Sequence, residues 1–203
     1  MQPLIINLTG KKVVIAGGGR IAARKAKTLA DQKAEITFIA PDFCEEILEL
    51  SREKDYIFIH RKALPNDFEN AFLAILATND RNANKDLGNL LSPNQLVCVV
   101  DESEEGNVSF PATIQRGYLQ VAVTTNGSSP KLTRKLKKEL EKKFDHSWKS
   151  YSEFLHQCRR KLKKLNITSE ERNELLEEII DERYRIDESA KEEILKHLQK
   201  IGF

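Results

Sequence analysis

Lys12-Val13-Val14-Ile15-Ala16-Gly17-Gly18-Gly19-Arg20-Ile21-Ala22 decides the fold of this chain. Its first five residues read as a buried strand. Three glycines follow at once, and Ile21, Ala22, Ala26 and Leu29 then recur at helical spacing over residues 21–30. A strand, a tight turn and a helix N-terminus are what a dinucleotide pyrophosphate needs. Gly17-x-Gly19-x-x-Ala22 is the alanine-ended form of that fingerprint: the first glycine permits the turn, the second lets backbone approach the phosphates, and the small third residue lets helix and strand pack closely. Helix N-terminal amides then face the anion. A glycine turn that serves packing alone would leave the same letters. The surrounding order, with a strand before, a helix after and a second strand ending about 20 residues on, favours the dinucleotide.

Working outward, residues 35–40 read as a second strand stopped by Pro41, 56–60 as a third, 72–77 as a fourth and 96–100 as a fifth. Helical patterns lie at 43–50 and 81–91. Strands alternating with helices imply a parallel sheet covered on both faces. The second strand ends Ile39-Ala40-Pro41-Asp42, so Asp42 or its local backbone is placed to meet an adenosine ribose. No Arg or Lys follows closely to claim a 2′-phosphate, which favours NAD over NADP. The fourth strand runs into Thr78-Asn79-Asp80. Ligands of open parallel sheets lie beyond the strands' carboxyl ends, so these three are candidates for the nicotinamide side. Capping of the next helix by Asn79-Asp80 is an equal reading, compatible with the first.

The pattern then changes. Residues 107–110 and 118–125 read as strands joined through Arg116-Gly117 without a long crossover, as in a small antiparallel or interface sheet. Ser129-Pro130 opens a helix with a good N-cap and a proline at its first position. Leu132, Leu136 and Leu140 mark its apolar face. From about residue 146 everything reads as helix: a stripe of Tyr151, Phe154, Leu155, Cys158, Leu162 and Leu165, a capping box at Thr168-Ser169-Glu170-Glu171, and short stripes at Leu175, Leu176, Ile179, Ile180 and at Ile194, Leu198, Ile201. The expected organisation is a Rossmann-like α/β unit over 1–112, a small strand-containing region over 113–145 and a helical domain over 146–203.

Two stretches suit a substrate. Asp101-Glu102 lies just past the fifth strand, where a carboxylate could take a proton; Asp101 leads as acid/base candidate, although acidic loops are common. The turn Thr124-Thr125-Asn126-Gly127-Ser128-Ser129-Pro130 feeds a helix bearing Lys131, Arg134, Lys135, Lys137 and Lys138. Amides, hydroxyls and cations in sequence, with Thr124, Ser128, Ser129, Lys131 and Arg134 foremost, can hold a carboxylate or phosphate. Residues 131–165 carry 13 Lys/Arg against 4 Asp/Glu, and residues 166–203 carry 6 against 11. The basic block therefore fits an anionic ligand, a nucleic acid or an acidic partner, and equally a solvated face pairing with the acidic tail. A nucleic-acid recognition motif and an aromatic platform are both missing from it.

Several classes fall away. No apolar run approaches the roughly 18 residues of a membrane span, and Met1-Gln2-Pro3-Leu4 lacks a signal peptide's start, so no membrane partner and a cytoplasmic location are expected. Three scattered cysteines and four scattered histidines make neither a disulfide framework nor a metal motif.

The residues together resemble the precorrin-2 dehydrogenases of sirohaem biosynthesis. The matching pieces are V-V-I-A-G-G-G-R-I-A-A-R-K (13–25), I-A-P (39–41), A-T-N-D (77–80), Q-L-V-C-V-V-D (95–101), F-P-A (110–112), R-G-Y-L-Q-V-A-V-T-T-N-G-S-S-P (116–130) and T-R-K-L (133–136), in family order. The resemblance implies oxidation of precorrin-2 to sirohydrochlorin with NAD as hydride acceptor. It puts Arg20, Ile21, Pro41 and Asp42 at the cofactor and gives Asp101 the dehydrogenation role. It also implies an intertwined homodimer built through the 107–125 strands and the following helix. Some members pass product to a separate chelatase, and others insert ferrous iron themselves; this chain is open to both. A non-catalytic NAD-sensing module is the alternative from another class.

Overall fold

The computed structural model describes residues 1–100 and 105–201. They form two compact units, Met1 to Phe110 and Pro111 onward.

In the first unit, β1 (Lys12–Ala16), β2 (Glu35–Ile39), β3 (Ile57–Ile59), β4 (Leu73–Leu76) and β5 (Leu96–Val99) make one parallel sheet in the order β3-β2-β1-β4-β5. Side chains alternate across a strand, and both sets here are apolar. Val13, Ile15, Leu73 and Ile75 pack on one face with α1 (Arg20–Leu29) and α2 (Glu45–Ser51). Val14, Ala16, Ala74 and Leu76 pack on the other with α3 (Arg81–Leu90) and a 3-10 turn, Pro65–Phe68. That double cover explains why the central strands read as continuous apolar runs. Each buried Val, Leu or Ile contributes about 1.5–3 kcal/mol. Ala22, Ala23 and Ala26 are the buried residues of α1 beside Leu29, so the helix can lie close against β1. At the other end of the sheet Phe38 stacks on Phe58 at 5.5 Å and meets Phe43 and Tyr56 edge-on.

Residues 107–110, expected as a strand, are not one. Asn107 instead clamps the open edge of β5. Its Oδ1 accepts from the Val97 amide at 2.7 Å, its Nδ2 donates to the Gln95 carbonyl at 2.7 Å, and its own amide and that of Val108 both donate to the Val97 carbonyl. One side chain thereby meets ladder groups that a sixth strand would have paired.

The second unit opens with an antiparallel hairpin, β6 (Ala112–Arg116) and β7 (Leu119–Val123). Its two-residue turn has Gly117 at φ +58°, a position where an added Cβ would stand 2.5 Å from Ser152 Oγ. Ser152 Oγ also accepts from the Tyr118 amide, so the turn is seated on the next long helix but one. The helices are α4 (Pro130–Lys143), α5 (Ser147–Leu162), α6 (Ser169–Glu178), α7 (Arg183–Ile186) and α8 (Glu188–Lys200). Ser129 caps α4, and Thr168 with Glu171 closes a reciprocal box at α6. Tyr151, Phe154, Cys158, Leu162, Leu165, Ile179, Tyr184, Ile194 and Leu198 form this unit's core. Ile180 and Ile201, read as part of the same stripes, are exposed. The Leu132-Leu136-Leu140 face of α4 has no buried residue within the chain. Among the described residues no helix is long and apolar enough to cross a membrane.

Candidate functional site

The glycine turn lies where the parallel sheet changes direction, since β2 and β4 flank β1 on opposite sides. The three glycines do different work. Gly17 has φ +126°, a region L side chains rarely adopt, and its amide donates to the Ile39 carbonyl at 2.9 Å. A Cβ there would stand 2.2 Å from the Ala77 carbonyl oxygen. Gly18 lies under the segment after β2: a Cβ would stand 1.8 Å from the Asp42 carbonyl oxygen, and the Gly18 carbonyl accepts from the Cys44 amide at 2.8 Å. Gly19 is different. The nearest atom to its Cβ position is Asn79 Oδ1 at 4.0 Å, so the turn opens outward there. Gly19 is the N-cap of α1; no side chain caps the helix, and its first turn carries no acid. The first amides of α1 therefore have neither an intrahelical acceptor nor a side-chain one, and the helix end is electropositive.

This open side faces a cleft of about 810 Å³ at the carboxyl ends of β1, β2 and β4, well inside the usual range for ligand sites. Gly17, Gly18 and Gly19 line it, with Pro41, Asp42, Phe43 and Cys44 after β2 and Thr78, Asn79 and Asp80 after β4. Eight of the ten residues expected at a cofactor are thus brought together. The other two are placed elsewhere: Arg20 projects into solvent with its Nε 3.6 Å from Glu46 Oε1, and Ile21 packs against the core.

The turn after β4 is held by side-chain hydrogen bonds. Asn84, 4% exposed, accepts from the Thr78 amide through Oδ1 at 3.1 Å and donates through Nδ2 to the Thr78 carbonyl at 3.1 Å. Asp80 Oδ1 accepts from the Ala83 amide at 3.0 Å, so Asp80 is the N-cap of α3 while lining the cleft. Both sequence readings of Asn79-Asp80 therefore coexist. Sequence reasoning missed the rest of the wall: Lys62, Ala63 and Pro65 from the segment after β3, and Ala83, Asp86, Leu87 and Leu90 from α3. The carboxyl-end rule applied to β3 would have found the first three.

Of the remaining candidates, Asp101 lies outside the described residues. Thr124, Ser128, Ser129, Lys131 and Arg134 fall in the second unit. There the hydroxyls are largely engaged within the turn. Ser129 Oγ accepts from the Leu132 amide at 3.3 Å, Ser128 Oγ donates to the Thr125 carbonyl at 2.7 Å, and Thr124 Oγ1 accepts from the Asn126 amide at 3.0 Å. The cations are differently disposed: Lys131, Arg134, Lys135, Lys137 and Lys138 line a shallow groove along α4.

A family model of NAD(P)-binding domains matches residues 4–112, which is the unit that carries this cleft. A precorrin-2 dehydrogenase of Priestia megaterium is 34% identical over 200 residues, spanning 98% of this chain and 99% of that one. The chain belongs to the precorrin-2 dehydrogenase family. A precorrin-2 dehydrogenase of Bacillus subtilis is 41% identical over 161 residues, 79% of this chain and 99% of that one. A solved structure titled "SirC, precorrin-2 dehydrogenase" superposes with a TM-score of 0.87 at 34% identity, over 98% of this chain and all of that one. Models of the sirohaem biosynthesis protein central region and of the SirC C-terminal domain match residues 116–143 and 148–194. The cleft lies within the residues that the NAD(P)-binding model matches.

Proposed function

We propose that this chain oxidises precorrin-2 to sirohydrochlorin with NAD as the oxidant. The observation that carries the reading is an uncapped helix N-terminus and open Gly19 at a cleft of dinucleotide size, in a chain that aligns end to end with precorrin-2 dehydrogenases. Bound there, the nicotinamide supplies a hydride acceptor.

The residues present fit that group. The first-turn amides of α1 receive the pyrophosphate, and Gly19 leaves room for it. Arg20 and Ile21 contribute through their amides rather than their side chains. Asp42, with Pro41 shaping the backbone, accepts a hydrogen bond from the adenosine ribose; a carboxylate there favours a 2′-hydroxyl, which is the basis for choosing NAD. Thr78, Asn79 and Asp80 hold the nicotinamide end, fixed by Asn84. Asp101 takes the proton lost from the macrocycle. Precorrin-2 is a polycarboxylate, so Lys131 and Arg134 bind it as cations, while Thr124, Ser128 and Ser129 shape the turn that presents them. A second copy of the chain covers the Leu132-Leu136-Leu140 face, giving a homodimer. The product then passes to a separate chelatase.

The test is anaerobic turnover. Protein, NAD and precorrin-2 are mixed, and NADH and the sirohydrochlorin spectrum are followed together. NAD-dependent oxidation is expected, and its absence refutes the reading. Asp101→Ala should abolish turnover while sparing NAD binding. Adding ferrous or cobaltous ion to the product tests the chelatase assignment, which fails if this chain accelerates metal insertion.

A further inference from the structure

The cofactor cleft contains one cation that no sequence motif marks. Among the described residues that line it, Asp42, Asp80 and Asp86 are acidic and Lys62 alone is basic. Lys62 follows β3, at the outer edge of the sheet, and its segment is held beside the end of β2. The Ala40 amide donates to the Ile59 carbonyl at 3.1 Å, His60 Nδ1 lies 3.4 Å from the Pro41 carbonyl oxygen, and the His60 and Phe43 rings meet edge-on at 5.0 Å. Residues 60–63 and 40–43 are therefore neighbours, and Asp42 and Lys62 line the same cleft.

The adjacent cation is withdrawn from this cleft. Arg61 grips Asp67 with both guanidinium ends at 2.7 and 2.6 Å. Lys62 makes no ion pair with any described carboxylate, and its side chain is exposed, so its ammonium is available to a ligand. The sheet order puts β2 and β3 on one side of the glycine turn and β4 on the other. With the pyrophosphate at α1, one nucleoside lies toward Asp42 and Lys62 and the other toward Thr78-Asn79-Asp80. Resting on the cofactor reading above, the first of these is the adenosine.

We propose that Lys62 is the specificity-determining residue for the 2′ position of that ribose, acting against Asp42. A carboxylate accepts a hydrogen bond from a 2′-hydroxyl and repels a 2′-phosphate; an ammonium attracts the phosphate's roughly −1.5 to −2 charge. Two opposite charges on one rim make the preference for NAD graded, because Lys62 offsets the penalty that Asp42 places on NADP. The rim is open to water, so this contribution is screened by salt.

Isothermal titration of the full chain with NAD and with NADP tests the assignment. Lys62→Met should raise the ratio of the NADP to the NAD dissociation constant about tenfold, the scale of one charge-assisted contact. Lys62→Arg should keep the ratio near the parent's, and Asp42→Asn should lower it. The Lys62→Met effect should shrink toward nothing near 1 M salt, where the screening length is about 3 Å. A role for the lysine stem in packing would weaken both nucleotides together and leave the ratio and its salt dependence unmoved; that result overturns the inference while the cofactor reading stands. Failure of the parent chain to bind either nucleotide overturns both.

Discussion

Alanine at each of the three consecutive glycines should separate folding from binding. At Gly17 the new methyl would stand 2.2 Å from the Ala77 carbonyl oxygen, on a backbone with φ +126°. At Gly18 it would stand 1.8 Å from the Asp42 carbonyl oxygen. Both fall more than 1 Å short of ordinary contact, and in both the obstacle is backbone that β1, β2 and β4 hold in place. Overpacking of this kind costs about 1–3 kcal/mol, and the positive φ at Gly17 adds about 1–3 kcal/mol of strain. Gly19 has neither problem: φ is −92° and the nearest atom is 4.0 Å away. Replacing glycine by alanine at an N-cap loses up to about 1 kcal/mol, offset by about 0.4–1 kcal/mol of unfolded-chain entropy. At about 4 °C per kcal/mol for a unit of this size, Gly17→Ala should lower the Tm by about 8–24 °C and Gly18→Ala by about 4–12 °C. Gly19→Ala should move it by less than about 4 °C. Yet Gly19→Ala places its methyl in the space assigned to the pyrophosphate, so NAD binding should weaken at least about tenfold, as expected where backbone must approach phosphate. Circular dichroism melts and calorimetric titration read the two effects separately. Wild-type NAD affinity in a folded Gly19→Ala protein would refute the placement of the pyrophosphate. A Gly18→Ala protein as stable as the parent would refute the tight stacking of residue 42 on the turn.

Other consequences follow from single contacts. Burial pushes the Cys158 thiol up to about 11 and raises that of Cys98, so neither should react in the native protein at pH 8, whereas half-buried Cys44 lines the cleft. A thiol reagent should therefore label Cys44 first, and NAD should slow that reaction; labelling indifferent to NAD contradicts the cleft assignment. Asn107→Ala removes the hydrogen bonds to the Val97 amide in β5 and to the Gln95 carbonyl just before it, and leaves the Val97 amide unpaired, a loss of about 1–3 kcal/mol visible in chemical denaturation. The Arg61 guanidinium holds the Asp67 carboxyl below its ordinary value, aided by the Leu64 amide. A folded-state value below the unfolded one gives stability that is complete above the ordinary carboxylate range and lost as pH falls through the folded value. The Tm difference between the parent and Asp67→Asn should accordingly be constant from pH 7 to about 5 and close below about 4.

What could be read from the sequence divides along a physical line. The five parallel strands and both helical layers were legible because buried strands need continuous apolar runs and helices need a stripe. Residues 107–110 misled because Asn-Val-Ser-Phe alternates like a half-buried strand. Alternation reports which side chains turn inward but not what the backbone bonds to, and here the Asn107 side chain takes part of the ladder. β6 escaped notice for the converse reason: Ala112-Thr-Ile-Gln-Arg has one buried residue, Ile114, and a hairpin strand lying on a helix needs little more. The site shows the same division. Residues whose backbone is packed against other backbone, such as Gly17 and Gly18, leave a motif, because few residue types tolerate their geometry. Lys62, Ala63 and Pro65 leave none. They reach the cleft only because β3 pairs with β2 and its following segment is tied to Pro41, and many residue types satisfy that arrangement. A cleft wall supplied by topology alone is also where substitution costs the fold least. The determinants of ligand preference are therefore expected on that wall, and under the proposed reading the glycine turn beside it holds what every dinucleotide shares.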